Sequence, residues 1–294
     1  MCGIAGIFAH GSAAAPVDPV ELRVIRDAME SRGPDGKGAW ISPDGRLGVG
    51  QGRLSFVDLR HLADPPLAAD NGRLQIVFNG EIYNYQDLRR ELVAEGRQLM
   101  TESDTEVVLH LYDRDGPAML GRLRGMFAIA IWDERSRTLF LARDQFGIKP
   151  LYYADDGKTF RFASQVKALL AGGRIDLAPD PAGHVGFFLW GHVPDPHTLY
   201  RAVRALPAGT WMTVDANGAS APRAFFDLAK VFADAGPAPA TPEARRALLR
   251  SALADSVTHH LIADVPVGVF LLLGWIRPRS ARWRRKREPK ISAR

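Results

Sequence analysis

The chain has 294 residues, 46% of them hydrophobic and 24% charged, enough apolar material for a buried core and too much for bulk disorder. Its formal charge of +5 sits at one end: residues 275–294 hold nine Lys or Arg against one acid, Glu288, a local +8 that leaves −3 for residues 1–274. A uniformly basic face for nucleic acid is thereby excluded; the single cysteine excludes an intrachain disulfide framework and a cysteine-built zinc site, and points to a reducing compartment. No apolar run reaches the ~18–20 residues of a membrane helix; the longest candidate is Val265 to Ile276, and no basic leader precedes the first apolar stretch. The expectation is a cytoplasmic protein with no membrane and no nucleic-acid partner.

In chain order, β-prone apolar runs predict strands at Ile4–Phe8, Leu74–Phe78, Met126–Trp132, Leu139–Leu141 and Thr210–Val214. A 3.6-residue periodicity predicts helices over Val20–Met29, Tyr85–Ala94 and Thr105–Tyr112. Gly96 stands where the second helix should stop, and Ser103 followed by Glu106 is a capping-box pattern for the third. The Pro/Ala-rich stretch around 233–242 reads as a linker. Beyond it come one amphipathic helix, Pro242–Ile262, and one buried-type strand, Val265–Leu273, which together cannot enclose a core.

Cys2 is the first residue with chemistry to offer. Methionine before a small residue is ordinarily trimmed, and an N-terminal cysteine then combines a thiol nucleophile with an α-amine of pKa ~7.7–8.0 able to take its proton. Several motifs surround it in order: Met-Cys-Gly-Ile-Ala-Gly-Ile-Phe from Met1, Arg32-Gly33-Pro34-Asp35, Gly52-Arg53-Leu54-Ser55-Phe56-Val57-Asp58, and Phe78-Asn79-Gly80-Glu81-Ile82-Tyr83-Asn84. Ser103-Asp104-Thr105-Glu106, Arg124-Gly125-Met126-Phe127-Ala128, Arg143-Asp144-Gln145-Phe146-Gly147-Ile148-Lys149-Pro150 and Phe162-Ala163-Ser164 follow. This series resembles the class II, N-terminal-nucleophile glutamine amidotransferases, in their asparagine-synthetase branch, over residues 2 to about 210.

The resemblance implies an α+β fold, a four-layer αββα N-terminal-nucleophile hydrolase domain over 2–215. A linker over 216–242, a truncated start of an α/β ATP-pyrophosphatase (asparagine synthetase) domain over 243–273 and a disordered basic tail over 274–294 are expected to follow. It implies that the chain hydrolyses glutamine to glutamate and ammonia. Cys2 would be nucleophile, and the Asn79 amide and Gly80 N–H the oxyanion hole. Arg53 would bind the glutamine α-carboxylate, Asp104 its α-ammonium, with Asn79 and Glu81 contributing to substrate binding. From the dipeptide alone, Asn79-Gly80 reads equally as a tight hairpin turn. Arg32 and Asp35 read as structural, pairing with each other or capping a loop, and Arg143, Asp144 and Lys149 as an ion network beneath the site. Ser31 and Gln165 depart from the family pattern, which has His and Glu there. No cofactor is expected for glutamine hydrolysis and no metal, since none of the eight histidines shows ligand spacing.

The synthetase half of the family needs ATP and Mg and begins with a Ser-Gly-Gly-x-Asp-Ser loop after a strand like Asp264–Leu271. Here Leu272-Leu273-Gly274-Trp275-Ile276-Arg277 follows, and the ATP-binding motif is absent. Leu273–Arg277 can be encoded so that a one-nucleotide shift, with the first base of Pro278, spells Ser-Gly-Gly-Phe-Asp. The sequence is thus compatible with a frameshift that would account for both the lost loop and the basic tail, a real tail being the alternative. Three readings stand: an enzyme retaining only glutamine hydrolysis, whether or not a separate chain supplies the synthetase half; an inactive remnant of an asparagine synthetase; and a tail acting as an arm for nucleic acid or an anionic surface.

Overall fold

The computed structural model describes residues 2–54, 66–237 and 241–266. Residues Ser55–Asp58 of the third motif, most of the strand expected over 265–273 and the basic tail lie outside the described residues. The chain divides into a unit Met1–Lys230 and a unit Val231–Arg294.

The first unit is built on two antiparallel sheets. The first runs in the order β10 (Arg204–Ala205), β8 (Tyr152–Asp155), β9 (Phe160–Ala163), β1 (Gly3–Phe8), β3 (Leu47–Arg53), β2 (Gly36–Ile41). The second runs β12 (Gly218–Ala219), β11 (Thr210–Asp215), β7 (Thr138–Arg143), β6 (Gly125–Asp133), β5 (Leu74–Ile82), β4 (Leu67–Ala69), with β13 (Arg223–Ala224) also on β11. Period-two alternation assigns the faces. On β1, Ile4 and Phe8 join Leu47 and Val49 of β3 and Val77 of β5 in a core between the sheets, with Trp132, Phe160 and Phe162. Ala5 and Ile7 point the other way, onto Leu22 and Ile25 of α1 (Pro19–Asp27) and Leu169 of α4 (Val166–Ala171). On the far face, α3 (Asp104–Asp115) packs on β5 and on α2 (Tyr85–Ala94). The result is the four-layer αββα arrangement.

Local chemistry explains the element ends. Asp18 caps α1, accepting from Val20 N–H at 2.8 Å, with Pro19 at the first turn where its missing N–H costs nothing. Gly96, at φ +85°, follows α2 as expected. At α3, Ser103 accepts from Thr105 N–H at 3.1 Å, but the other half of the expected capping box is displaced. Glu106 reaches past Ser103 to the N–H groups of Met100 and Thr101 (2.7 and 2.6 Å), because the chain folds back there.

Residues 216–224, read above as the start of a linker, belong to the second sheet. Val214 pairs with Ala219 and Trp211 with Arg223, so the hairpin covers an edge that β11 would otherwise expose. α6 (Leu228–Ala233) follows. In the second unit Thr241 caps α7 (Pro242–His259), which buries none of its residues: Leu248, Leu249 and Leu253 are each more than half exposed.

Candidate active site

Three strands of the two sheets carry Cys2, Arg53, Asn79 and Glu81 to one end of the sandwich on one face. Arg53 lies four residues beyond Val49 on β3, and Asn79 two beyond Val77 on β5. Both therefore share the face of the core between the sheets. Cys2 precedes Ile4 by two on the β1 line, and since Gly3 is paired with Gly52, Cys2 comes opposite Arg53. The Cys2 thiol is held at the end of β3: Sγ accepts from Leu54 N–H at 3.4 Å and lies 3.7 Å from the Leu54 carbonyl oxygen.

Gln51 ties the sheets together at this end. It is buried on the same face of β3, two residues before Arg53, and its Oε1 accepts the Phe78 N–H of β5 at 2.9 Å. This bond fixes the residue before Asn79 relative to the strand that holds the thiol. Gln51 was not singled out from the sequence, although period-two alternation back from Arg53 places it on the site face.

Asn79-Gly80 is not a turn. Both residues lie within β5, opposite Ala128 and Phe127 of β6. Asn79 is 1% exposed, and neither its Nδ2 nor its Oδ1 has a hydrogen-bond partner among the described residues. Leaving such a group unsatisfied costs ~1–3 kcal/mol, so a bare buried amide signals a reserved partner. Gly80 admits no side chain: a Cβ would come 2.5 Å from the Met126 carbonyl oxygen and 2.7 Å from the Phe78 ring. Its opposite number Phe127 gives its N–H to Asp144 Oδ2 (3.2 Å) and takes Asp144 N–H on its carbonyl (2.8 Å). Antiparallel partners alternate between bonded and non-bonded pairs, so Gly80 occupies a non-bonded position and its N–H is left out of the β5–β6 ladder.

Asp104 opens α3, 6% exposed, and its Oδ2 accepts from Ile82 N–H at 3.0 Å. Burial and the neighbouring Glu81 carboxylate raise its pKa to about 6, against the pull of the backbone N–H bonds. Glu81 thus brings a second carboxylate beside Asp104. Glu81 shares the Asn79 face of β5 and is partly buried.

The Arg-Gly-Pro-Asp loop supports β3. Gly33 packs so closely on it that a Cβ would sit 2.2 Å from the Gly52 carbonyl carbon, and Asp35 N–H donates to the Arg53 carbonyl at 3.0 Å. Arg32, read as structural, donates from Nε to the Cys2 carbonyl at 3.1 Å, and its Nη2 is buried with no partner among the described residues.

The expected ion network of Arg143, Asp144 and Lys149 takes a different form. Asp144, fully buried, accepts backbone N–H bonds from Phe127, Phe146, Ile148 and Lys149, which hold the loop after β7 as a rigid cup. Arg143 donates to the carbonyls of Gly147, Lys149 and Leu206 and pairs with Asp195 at 2.7 Å. Lys149 is 4% exposed; burial lowers its pKa, opposed by the charges of Glu81 and Cys2. The motif's spacing shows three charges but not that Asp144 and Arg143 spend theirs on backbone groups of the loop.

Among the described residues no group of three His, Cys, Asp or Glu could hold a metal ion, and no helix is long and apolar enough to cross a membrane.

A family described as "Glutamine amidotransferase domain" matches residues 1–226. Asparagine synthetase [glutamine-hydrolyzing] 1 of Bacillus subtilis is 36% identical over 272 residues, a match covering 92% of this chain and 42% of that protein. Amidase chry2 of Gibberella zeae is 31% identical over 284 residues, covering 92% and 41%. The chain therefore spans about two fifths of the length of these curated relatives. Among solved structures, glutamine phosphoribosylpyrophosphate amidotransferase from B. subtilis aligns with a TM-score of 0.58 at 21% identity, over 76% of this chain and 49% of that one, a likeness of fold.

Proposed function

The chain belongs to the glutamine amidotransferase domain family, and from that premise we propose that it hydrolyses glutamine to glutamate and ammonia with Cys2 as nucleophile. Once Met1 is removed, the α-amine of Cys2 takes the thiol proton, directly or through water. The thiolate attacks the side-chain amide carbon of glutamine. The oxyanion that forms is received by Asn79 Nδ2–H and Gly80 N–H, each such donor typically worth ~2.7–4 kcal/mol of barrier. Collapse expels ammonia, protonated from the α-ammonium of Cys2, and leaves a thioester; water, deprotonated by the same amine, releases glutamate. Arg53 forks onto the substrate α-carboxylate, while Asp104 and Glu81 take the α-ammonium.

One observation carries this reading: Asn79 presents an unsatisfied, buried amide on the strand face that also holds Cys2 and Arg53. The test is glutamate release by purified protein whose N-terminus has been confirmed as Cys2. Turnover should vanish in Cys2→Ala and in a form keeping an N-terminal extension, with both still folded. Wild-type rates in either variant would refute the mechanism.

The synthetase activity is proposed to require a separate chain. α5 (Pro181–Trp190) exposes Phe188 to 83%, Leu189 to 70% and Trp190 to 70%, a patch of the kind that marks a protein interface. Residues 243–273 are read as the start of the synthetase-type domain: a match over 92% of the chain has to extend past residue 231. ATP and Mg are assigned to that partner half. The protein is placed in the cytoplasm on its single free cysteine.

A further inference from the structure

At the opposite end of the sandwich, the end of β1 and three turns drawn from both sheets line an open cavity of about 460 Å³. β1 enters it at Phe8 and β2–β3 contribute Arg46. The β6–β7 turn adds Arg135 and Arg137, and the β11–β12 turn Asp215 and Asn217. Six residues of extended β1 separate Cys2 from Phe8, which puts the cavity about 20 Å from the thiol.

The charges lining it are unevenly committed. Arg137 is bound to Asp44 and Glu134 and stacks over Trp132 at 5.9 Å; the turn holds it at φ +51°, a conformation costly for a side-chain-bearing residue. His10 is spoken for by Asp155 at 3.0 Å. The Arg46 guanidinium donates to the carbonyls of Gly11 and Ala14 (3.0 and 3.3 Å) and forms no ion pair among the described residues, while its backbone N–H donates to Asp44 Oδ1 at 3.1 Å, the acid that also binds Arg137. The Arg135 guanidinium has no hydrogen-bond or ion-pair partner among the described residues. Asp215, the one acid in the lining, accepts a backbone N–H from Asn217 at 2.7 Å and forms no ion pair among the described residues.

A cavity lined by two guanidinia and one carboxylate that form no ion pair among the described residues is complementary to a small molecule carrying both signs. Guanidinium forks onto a carboxylate and Asp215 pairs with an ammonium. An inorganic dianion fits less well, because Asp215 would face it at like charge. We propose that this cavity is a second binding site, for a free α-amino acid, distinct from the glutamine site and therefore placed to act as an effector site.

Equilibrium dialysis with labelled L-glutamate, L-asparagine and L-aspartate on the whole chain tests this without reference to turnover. At least one should bind with two sites per chain, or with one site in Arg53→Ala, which disables the other. Arg135→Ala and Asp215→Asn should each weaken that remaining site by about tenfold or more. Both residues are on exposed turns, and circular dichroism checks that the variants fold. The proposal is overturned if none of the three amino acids binds Arg53→Ala, or if Arg135→Ala and Asp215→Asn leave binding unchanged. It is equally overturned if inorganic phosphate competes at the site and Asp215→Asn tightens phosphate and amino acid alike, since the site would then read charge of one sign only.

Discussion

The carboxylate of Asp104 takes the N–H of Ile82 at 3.0 Å, pinning the first residue of α3 to the end of β5, one residue past Glu81. This bond keeps a buried acid beside a second one. It makes the pair sensitive to pH in a direction that can be worked out.

With its pKa raised to about 6, Asp104 is a carboxylate at pH 7 and protonated at pH 5. Only the carboxylate pairs with an ammonium, so KM for glutamine should climb as pH falls through 6 and be flat above it. Asp104→Asn should raise KM at pH 7 by the equivalent of roughly 2–5 kcal/mol. Its thermal midpoint at pH 7 should equal or exceed that of the parent. A raised acid stabilises the fold below its unfolded pKa and loses that contribution as pH rises through 6, and asparagine still offers Ile82 an acceptor. Steady-state kinetics from pH 5 to 8 and melting curves of both proteins check these outcomes.

The Asn79 side chain makes no hydrogen bond among the described residues. Asn79→Ala should cut kcat about 100- to 1,000-fold while leaving the melting temperature unchanged or higher. A structural asparagine would do the reverse. Gly80→Ala, by contrast, should destabilise by about 1–3 kcal/mol, since the new methyl meets a backbone oxygen that cannot move without breaking the sheet.

Legibility in the sequence followed the physics of each segment. Tyr85–Ala94 matches its predicted helix because its apolar spacing and Gly96 are both local signals. β5 was predicted only to Phe78, because Asn79-Gly80 has the local preference of a turn; tertiary pairing with β6 overrides it and extends the strand to Ile82. Resemblance supplied Arg53 and Asp104 as site residues, and alternation along β3 explains why the first shares a face with Cys2. Lys149, Arg32 and Gln51 escaped, since their importance rests on which way a buried side chain points between two sheets. Residues 216–224 escaped because Asn217-Gly218 is a turn signal whether it ends a domain or builds one last hairpin on β11.

The Gln51–Phe78 bond predicts coupling between sheet alignment and chemistry. Gln51→Leu leaves the Phe78 N–H buried without an acceptor and should destabilise the domain by about 1–3 kcal/mol. It should lower kcat more than it raises KM, because β5 carries the oxyanion donors. Unchanged kcat in a destabilised variant would show that the bond supports the fold alone.

Glu106 is a carboxylate whose ionisation contributes to stability at neutral pH. Burial alone would raise its pKa, but His110, the Thr101 hydroxyl and the N–H groups of Met100 and Thr101 bring it down to about 2. A lowered acid stabilises the fold above its unfolded pKa, near 4.5, and that contribution fades as pH drops toward 2. Glu106→Gln should therefore lower the melting temperature at pH 7 and flatten its decline between pH 5 and 2. Asp104 acts in the opposite sense in the higher window between pH 4 and 6, so Asp104→Asn should remove the gain in stability on acidification there and leave the loss below pH 4.5 in place. Melting curves of the parent and both variants across pH 2–7 separate the two groups. Parallel curves for the parent and Glu106→Gln would show that the bonds from Glu106 to the turn before α3 do not govern its acid unfolding.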